Sequence, residues 1–227
     1  MAVIKETNIK QDILYIALDL FYERGYDNTS ISTINKEVGI SRGGFYHYYK
    51  SKDEVLVSIS KEYAESVIEL VLEIANDNGL NAVEKINKMI KDVQKHNKIN
   101  KEIRYKISKI YEREGNIKLQ KKILDTVIEM AREPYKKIIE QGVKEGNFKT
   151  SNTKETTEFL IRMGISLKAQ LSQLSSQLEE KPENAGVIKE KILFYEEVFE
   201  KVLGSEKGTI NLKDIFLDIY INNFTES

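Results

Sequence analysis

The residues best suited to chemistry lie between Ser30 and Lys52. From Lys36 to Lys52 there are four cations, Lys36, Arg42, Lys50 and Lys52, and one acid, Glu37. This local excess of three contrasts with a formal net charge of −1 for the chain. Residues 1–56 as a whole carry seven Lys or Arg and eight Asp or Glu. Phosphate groups need only a local patch to neutralise them, so the basicity suits nucleic acid although the whole chain does not advertise it. In the middle of the patch stands Arg42-Gly43-Gly44-Phe45-Tyr46-His47-Tyr48-Tyr49. Each glycine costs a helix about 1 kcal/mol relative to alanine. Two in succession suggest a backbone that base edges or thymine methyls must approach closely. Phe45 is expected to face inward. Tyr46, His47 and Tyr48 offer hydroxyl and imidazole groups to a groove and its backbone. Lys52 occupies the first turn of a helix, where the dipole disfavours a cation. A phosphate at that N-terminus would reverse the penalty. The competing reading is an aromatic cluster that is simply core. The double glycine, the local charge and the position of Lys52 weigh against it.

Those residues need elements to hold them. Ile9, Ile13, Ala17, Leu20 and Phe21 recur at helical spacing and predict a helix over Ile9–Arg24. Gly25 suits the left-handed position after that helix, with Tyr26 folding back on Phe21. Ser30 caps a second helix bearing Ile31, Ile34 and Val38, and Gly39 stops it. Ser41 caps a third over Arg42–Tyr48. Ser51, with Glu54 three residues on, forms a capping box for a fourth that runs to about Asn78-Gly79. Two short helices joined by Gly39 and braced by the first make a helix-turn-helix, whose second short helix enters the DNA major groove.

The remainder reads as further helices. Asn81-x-x-Glu84 opens one, and Ile103, Ile107, Ile110 and Tyr111 mark another. A long one over Ile117–Glu145 contains Pro134, which should kink it, and Gly146-Asn147-Phe148 ends it. Thr153 opens a helix expected to continue nearly to Pro182, with a near-heptad stripe from Leu160 to Leu178. A helix through Val187–Leu203 ends at Gly204, and Asn211-x-x-Asp214 opens the last. The fold class is all-α. The fourth helix should cross between domains near Lys61, giving a DNA-binding domain over 1–60 and a second helical domain over 61–227.

Composition sets bounds on function. The 227 residues are 41% hydrophobic with 2 prolines, enough for a helical core. Zero cysteines exclude disulfides and thiol catalysis. No phosphate loop, nucleophile elbow or His-Glu zinc motif occurs, and His47 and His96 do not pair as metal ligands. No catalytic residue, metal site or cofactor is expected. Neither a signal core nor an apolar run of about 18 residues is present, which predicts a cytoplasmic protein with no membrane association.

From Ile13 to Leu56 the sequence resembles the DNA-binding domain of the TetR family of transcriptional regulators. The resemblance lies in Ala17, Leu20-Phe21, Gly25-Tyr26, Ser30-Ile31, Ile34, Val38-Gly39-Ile40-Ser41, Phe45-Tyr46-His47-Tyr48-Tyr49 and Lys50-Ser51-Lys52-Asp53-Glu54-Val55-Leu56. Ile139-x-x-Gly142-x-x-x-Gly146-x-Phe148 resembles a recurrent helix ending in that family's second domain. The resemblance implies that Arg42, Gly43, Gly44 and His47 meet base edges or adjacent backbone. Tyr46, Tyr48 and Lys52 would meet phosphates and the groove. Ser30 stands where the family usually has threonine and can still cap. Asn35 stands where a small apolar residue is usual.

The resemblance further implies a repressor that binds a palindromic double-stranded DNA operator as a homodimer and is released by a small-molecule effector. The Leu160–Leu178 stripe, with Gly164 permitting close approach, and the helix around Val187–Leu203 are the two candidate dimer surfaces; either stripe could equally be intramolecular core. Tyr105, Tyr111, Arg162, Met163 and Gln170 mix rings and polar groups at helical positions and are candidates to line an effector cavity. The alternative function is a DNA-binding scaffold whose C-terminal domain docks a protein partner.

Overall fold

A computed structural model describes residues 9–99 and 117–221. The described residues form nine α-helices and no strand. These are α1 (Ile9–Arg24), α2 (Ile31–Val38), α3 (Arg42–Tyr48), α4 (Lys52–Asn76), α5 (Ala82–Ile99), α6 (Ile117–Lys144), α7 (Thr153–Ser175), α8 (Asn184–Leu203) and α9 (Leu212–Tyr220). Among them no helix is long and apolar enough to cross a membrane. They fall into two compact units. The first holds the described residues of 1–67 and 97–129, the second those of 68–96 and 130–227. Both α4 and α6 therefore contribute to each unit.

The first unit is built as its sequence dictates. Ile13, Leu14, Ala17, Leu18, Leu20 and Phe21 of α1 are buried. They meet Ile34, Phe45, Tyr49, Val55, Leu56 and Ile59 in one core, and Val127 of α6 packs against it. Gly25 ends α1 at φ 87°, its N–H donating to the Phe21 carbonyl at 3.1 Å. Tyr26 then meets Phe21 edge-on, with ring centroids 5.0 Å apart. The buried Thr29 hydroxyl reaches the Gly25 carbonyl at 2.8 Å and fixes the loop before α2.

In the second unit, Asn81 and Glu84 exchange side-chain and backbone hydrogen bonds at 3.0 and 2.9 Å and start α5. The buried Lys85 ammonium donates to the Ala75 carbonyl at 2.9 Å and to Gln141 Oε1 at 2.7 Å, tying α4, α5 and α6 within this unit. Helix α6 is continuous through Pro134. Its end is a tight reversal, in which the N–H groups of Asn147 and Phe148 both donate to the Gly142 carbonyl, at 2.9 and 3.0 Å. Helices α7, α8 and α9 pack on one another. The buried Glu200 carboxylate accepts from Gly208 N at 2.6 Å and Ile210 N at 3.2 Å, which holds the loop between α8 and α9.

One boundary differs from the sequence reading. Helix α7 stops at Ser175 rather than continuing nearly to Pro182. Gln177 and Leu178 donate to carbonyls three residues back, tightening the chain into turns. The buried Asn184 amide takes the Leu174 carbonyl at 3.1 Å and closes that end. Of the stripe predicted from Leu160 to Leu178, Leu160, Leu167 and Leu171 are buried within the chain.

Candidate nucleic-acid interface

The two short helices are positioned by their caps. Ser30 Oγ accepts from Thr33 N at 3.0 Å, and Ser41 Oγ accepts from Gly44 N at 3.1 Å. Between them Gly39 turns the chain at φ 79°, and the Asn35 carbonyl accepts from both Gly39 N and Ile40 N, at 2.9 and 3.0 Å. Phe45 and Tyr49 are buried and anchor α3 from beneath. The opposite face is left to solvent. Arg42, Gly43, Tyr46 and His47 are exposed, while Gly44 and Tyr48 are half-buried. This i, i+1, i+4, i+5 set forms one outward stripe. The Arg42 guanidinium lies over the Tyr46 ring at 5.7 Å, and His47 meets Tyr48 edge-on at 4.8 Å. Ser30 is exposed at the start of α2, its hydroxyl also within 2.7 Å of Ser32 Oγ. All the candidate DNA-contact residues thus sit at the N-cap of α2, on α3 and in the first turn of α4.

The glycines are informative. Neither Gly43 nor Gly44 has a positive φ. A methyl at Gly43 would find Ser41 Oγ at 3.8 Å as its nearest neighbour, and one at Gly44 would find Ile40 Cβ and Ser41 Oγ at 3.5 Å. Those are ordinary contacts. The protein's own packing does not require glycine at either position.

Lys52 is placed differently from a free phosphate ligand. Its ammonium donates to the Tyr26 carbonyl at 2.6 Å and the Thr29 carbonyl at 2.8 Å, and lies 4.1 Å from the Tyr26 ring centroid. Burial draws its pKa below the usual lysine range, and Asp27 and Asp53 oppose that shift. The cation at the head of α4 already has carbonyl dipoles and a ring face inside the protein. It ties α4 to the loop that carries Ser30. The Tyr26 hydroxyl completes the tie, donating to Asp53 Oδ1 at 2.7 Å. Hydrogen bonds from a charged donor contribute about 1.5–3 kcal/mol, so Lys52→Met is expected to destabilise the first unit by about 2 kcal/mol. Urea denaturation checks this; a change below about 0.5 kcal/mol would show the strut to be idle. The Ser51 cap forms at 3.1 Å, but the Glu54 carboxylate accepts from Lys50 N at 2.6 Å and closes the α3–α4 turn.

Between α2 and α3 lies a groove of about 360 Å³ lined by Ile31, Ser32, Asn35, Arg42 and Tyr46. Sequence reasoning singled out Asn35 only as a departure from a family pattern and did not find this groove. The candidate effector residues are less united. Tyr105 and Tyr111 lie outside the described residues. Arg162 is exposed and paired with Glu158 at 2.8 Å, and Glu158 also meets Arg132 at 3.3 Å. Met163 is half-buried on the next position of α7. The Gln170 amide bonds Ser166 Oγ at 3.0 Å and Tyr195 at 3.2 Å, and accepts from Lys191 at 2.8 Å. Among the described residues no group of His, Cys, Asp and Glu could hold a metal ion.

Residues 13–59 match the sequence profile of the family described as bacterial regulatory proteins, tetR family, and so span α1 to the first two turns of α4. Over these residues the chain is similar to the DNA-binding domain of TetR-family regulators. The repressor AcnR of Corynebacterium glutamicum is 31% identical over 105 residues, covering 46% of this chain and 52% of AcnR. The chain therefore matches about half the length of that relative. Two solved structures share the fold over most of the chain. SmeT in complex with triclosan has a TM-score of 0.61 at 15% identity, covering 89% of this chain and 94% of SmeT. The fatty acid degradation regulator FadR from Bacillus halodurans has a TM-score of 0.58 at 19% identity, covering 88% of this chain and 97% of FadR. An N-terminal helix-turn-helix followed by a helical domain is thus the architecture of this chain.

Proposed function

We propose that this chain is a transcriptional repressor that binds a palindromic operator as a homodimer and leaves it when a small molecule binds its second domain. The observation that carries the DNA reading is the outward stripe of α3, with a glycine, Gly43, that no internal contact requires. In a helix-turn-helix that stripe lies in the major groove, with the α2 cap at the backbone. Arg42, Gly43 and His47 are the base-proximal set, Gly44 lies behind them in the adjacent backbone, and Ser30, Tyr46 and Tyr48 are the phosphate-proximal set. Lys52 acts from behind by fixing the loop that presents Ser30. Residues 1–60 would serve as the DNA-binding domain and 61–227 as the effector and dimer domain.

For the dimer, α8 is favoured over α7. Val187, Leu193 and Phe194 on α8 are 44%, 40% and 60% exposed, whereas Leu160, Leu167 and Leu171 of the α7 stripe are buried in their own chain. Apolar side chains of this size left open on one helix suit burial against a second copy. The effector reading draws support from SmeT, which was solved with triclosan. Arg162, Met163 and Gln170 are the residues proposed to face it. Ligand would shift the population toward a spacing of the two α3 helices that no longer fits half-sites about one helical turn apart. The test is a mobility shift on the DNA upstream of its own gene. A sequence-specific complex that weakens steeply with salt is expected; its absence across a salt series overturns the reading.

A further inference from the structure

We propose that Asn35 is a positioning residue for DNA reading: on docking, its carboxamide oxygen accepts an N–H of Arg42 and fixes the guanidinium that meets a base edge. The proposal rests on the DNA-binding reading above. Asn35 is 7% exposed, and among the described residues its Oδ1 has no hydrogen-bond donor within reach. A buried acceptor without a donor is a net cost to the free protein. The Asn35 carbonyl accepts from Gly39 N and Ile40 N, which holds the residue in the last turn of α2. Asn35 and Arg42 are both among the residues that line the groove between α2 and α3, so a small side-chain rotation on docking would bring the two together.

Arg42 has what Asn35 lacks. A guanidinium carries five donors and no acceptor. In the free protein Arg42 rests over the Tyr46 ring, a contact that leaves its N–H edges uncommitted to that ring. The other polar groups of the groove are worse placed to serve Asn35. The Ser32 hydroxyl is 2.7 Å from Ser30 Oγ, and Tyr46 lies under the arginine. One N–H given to Asn35 Oδ1 would orient the plane, and the remaining fork could still bond guanine O6 and N7. An arginine tethered at one edge loses fewer rotamers when it meets a base, which favours one base pair over its alternatives.

The experiment uses the full-length protein. An operator is first selected from random-sequence duplexes with the wild type. Dissociation constants are then measured for that operator, for each single base-pair change in it, and for an unrelated duplex. Four proteins are compared: wild type, Asn35→Ala, Arg42→Ala and the double variant. Asn35→Ala is expected to melt at a higher temperature than wild type, so that loss of fold does not enter. It should bind the unrelated duplex unchanged and lose about tenfold on the operator. That loss should fall on the base pair whose preference Arg42→Ala also erases, and the double variant should be no weaker than Arg42→Ala alone. Full preference at that pair in Asn35→Ala overturns the proposal, as do independent, additive losses in the double variant. If the wild type itself selects no sequence, the DNA reading fails and this inference falls with it. A selective wild type with an equally selective Asn35→Ala overturns the inference alone.

Discussion

Gly142→Ala is expected to destabilise the second unit by about 3 kcal/mol or more, although alanine is the better helix former by about 1 kcal/mol. A Cβ at this position would stand 2.1 Å from Phe148 Cδ2, 2.3 Å from Cε2 and 2.9 Å from Cγ. No side chain tolerates such distances, so either the ring or the helix must move. The ring has little freedom. Phe148 is buried, and its own N–H and that of Asn147 are bonded to the carbonyl of Gly142. The residue that would carry the methyl therefore also holds the ring in its path. Expelling Phe148 costs on the scale of a Phe→Ala change in a core, about 3–5 kcal/mol, and far exceeds the propensity gain. The same alanine in a Phe148→Ala background has no ring to strike and should cost little or stabilise slightly. Urea unfolding of the two singles and the double measures this. A Gly142→Ala protein within 1 kcal/mol of wild type would sink the argument. The motif Ile139-x-x-Gly142-x-x-x-Gly146-x-Phe148 thereby acquires a physical meaning: Gly146 reverses the chain at φ 78°, and Gly142 gives the returning ring its seat.

What could be read from the sequence was what neighbours in the chain decide. The caps at Ser30, Ser41, Ser51, Asn81 and Asn211 each join a side-chain oxygen to an N–H three residues on. That chemistry is complete within one turn, so the starts of α2, α3, α4, α5 and α9 were legible. The end of α1 was legible for the same reason, because glycine and the following aromatic act on the last turn. The failures involve partners far along the chain. Helix α7 ends where Asn184, ten residues beyond Leu174, takes its carbonyl. Lys52 finds its carbonyls at Tyr26 and Thr29, more than twenty residues back, partners that its first-turn position does not reveal. Asn35 shows a milder form of the same limit. The sequence marked it as a residue out of pattern, but the groove beside it needs two helices and a turn to exist. The two candidate dimer surfaces were undivided in sequence because buried and exposed apolar residues share one spacing; only the fold shows that Leu160, Leu167 and Leu171 are buried while Val187, Leu193 and Phe194 are exposed.

Gly43→Ala is expected to move stability and DNA affinity in opposite directions. Its Cβ would stand on the outward stripe of α3 in ordinary contact with Ser41 Oγ, 3.8 Å away. Helix propensity then acts without a steric charge against it, and the melting temperature should rise, with a gain of up to about 1 kcal/mol. Operator binding should fall by about 1–3 kcal/mol, ten- to a hundredfold, since the N-terminal residues of the reading helix are the ones closest to base edges. Gly44→Ala supplies an internal control. Its Cβ would lean on Ile40 and Ser41 at 3.5 Å, on the inner side of the same turn. It should also raise stability, yet cost DNA binding much less than Gly43→Ala. The contrast matters more than either value, because adjacent glycines in one seven-residue helix share their propensity cost and differ only in what they face. Binding to an unrelated duplex, measured at the same salt, separates loss of base contact from loss of phosphate contact. A Gly43→Ala protein that is more stable and holds its operator as tightly as wild type would mean that close approach at α3 is not what the glycine serves.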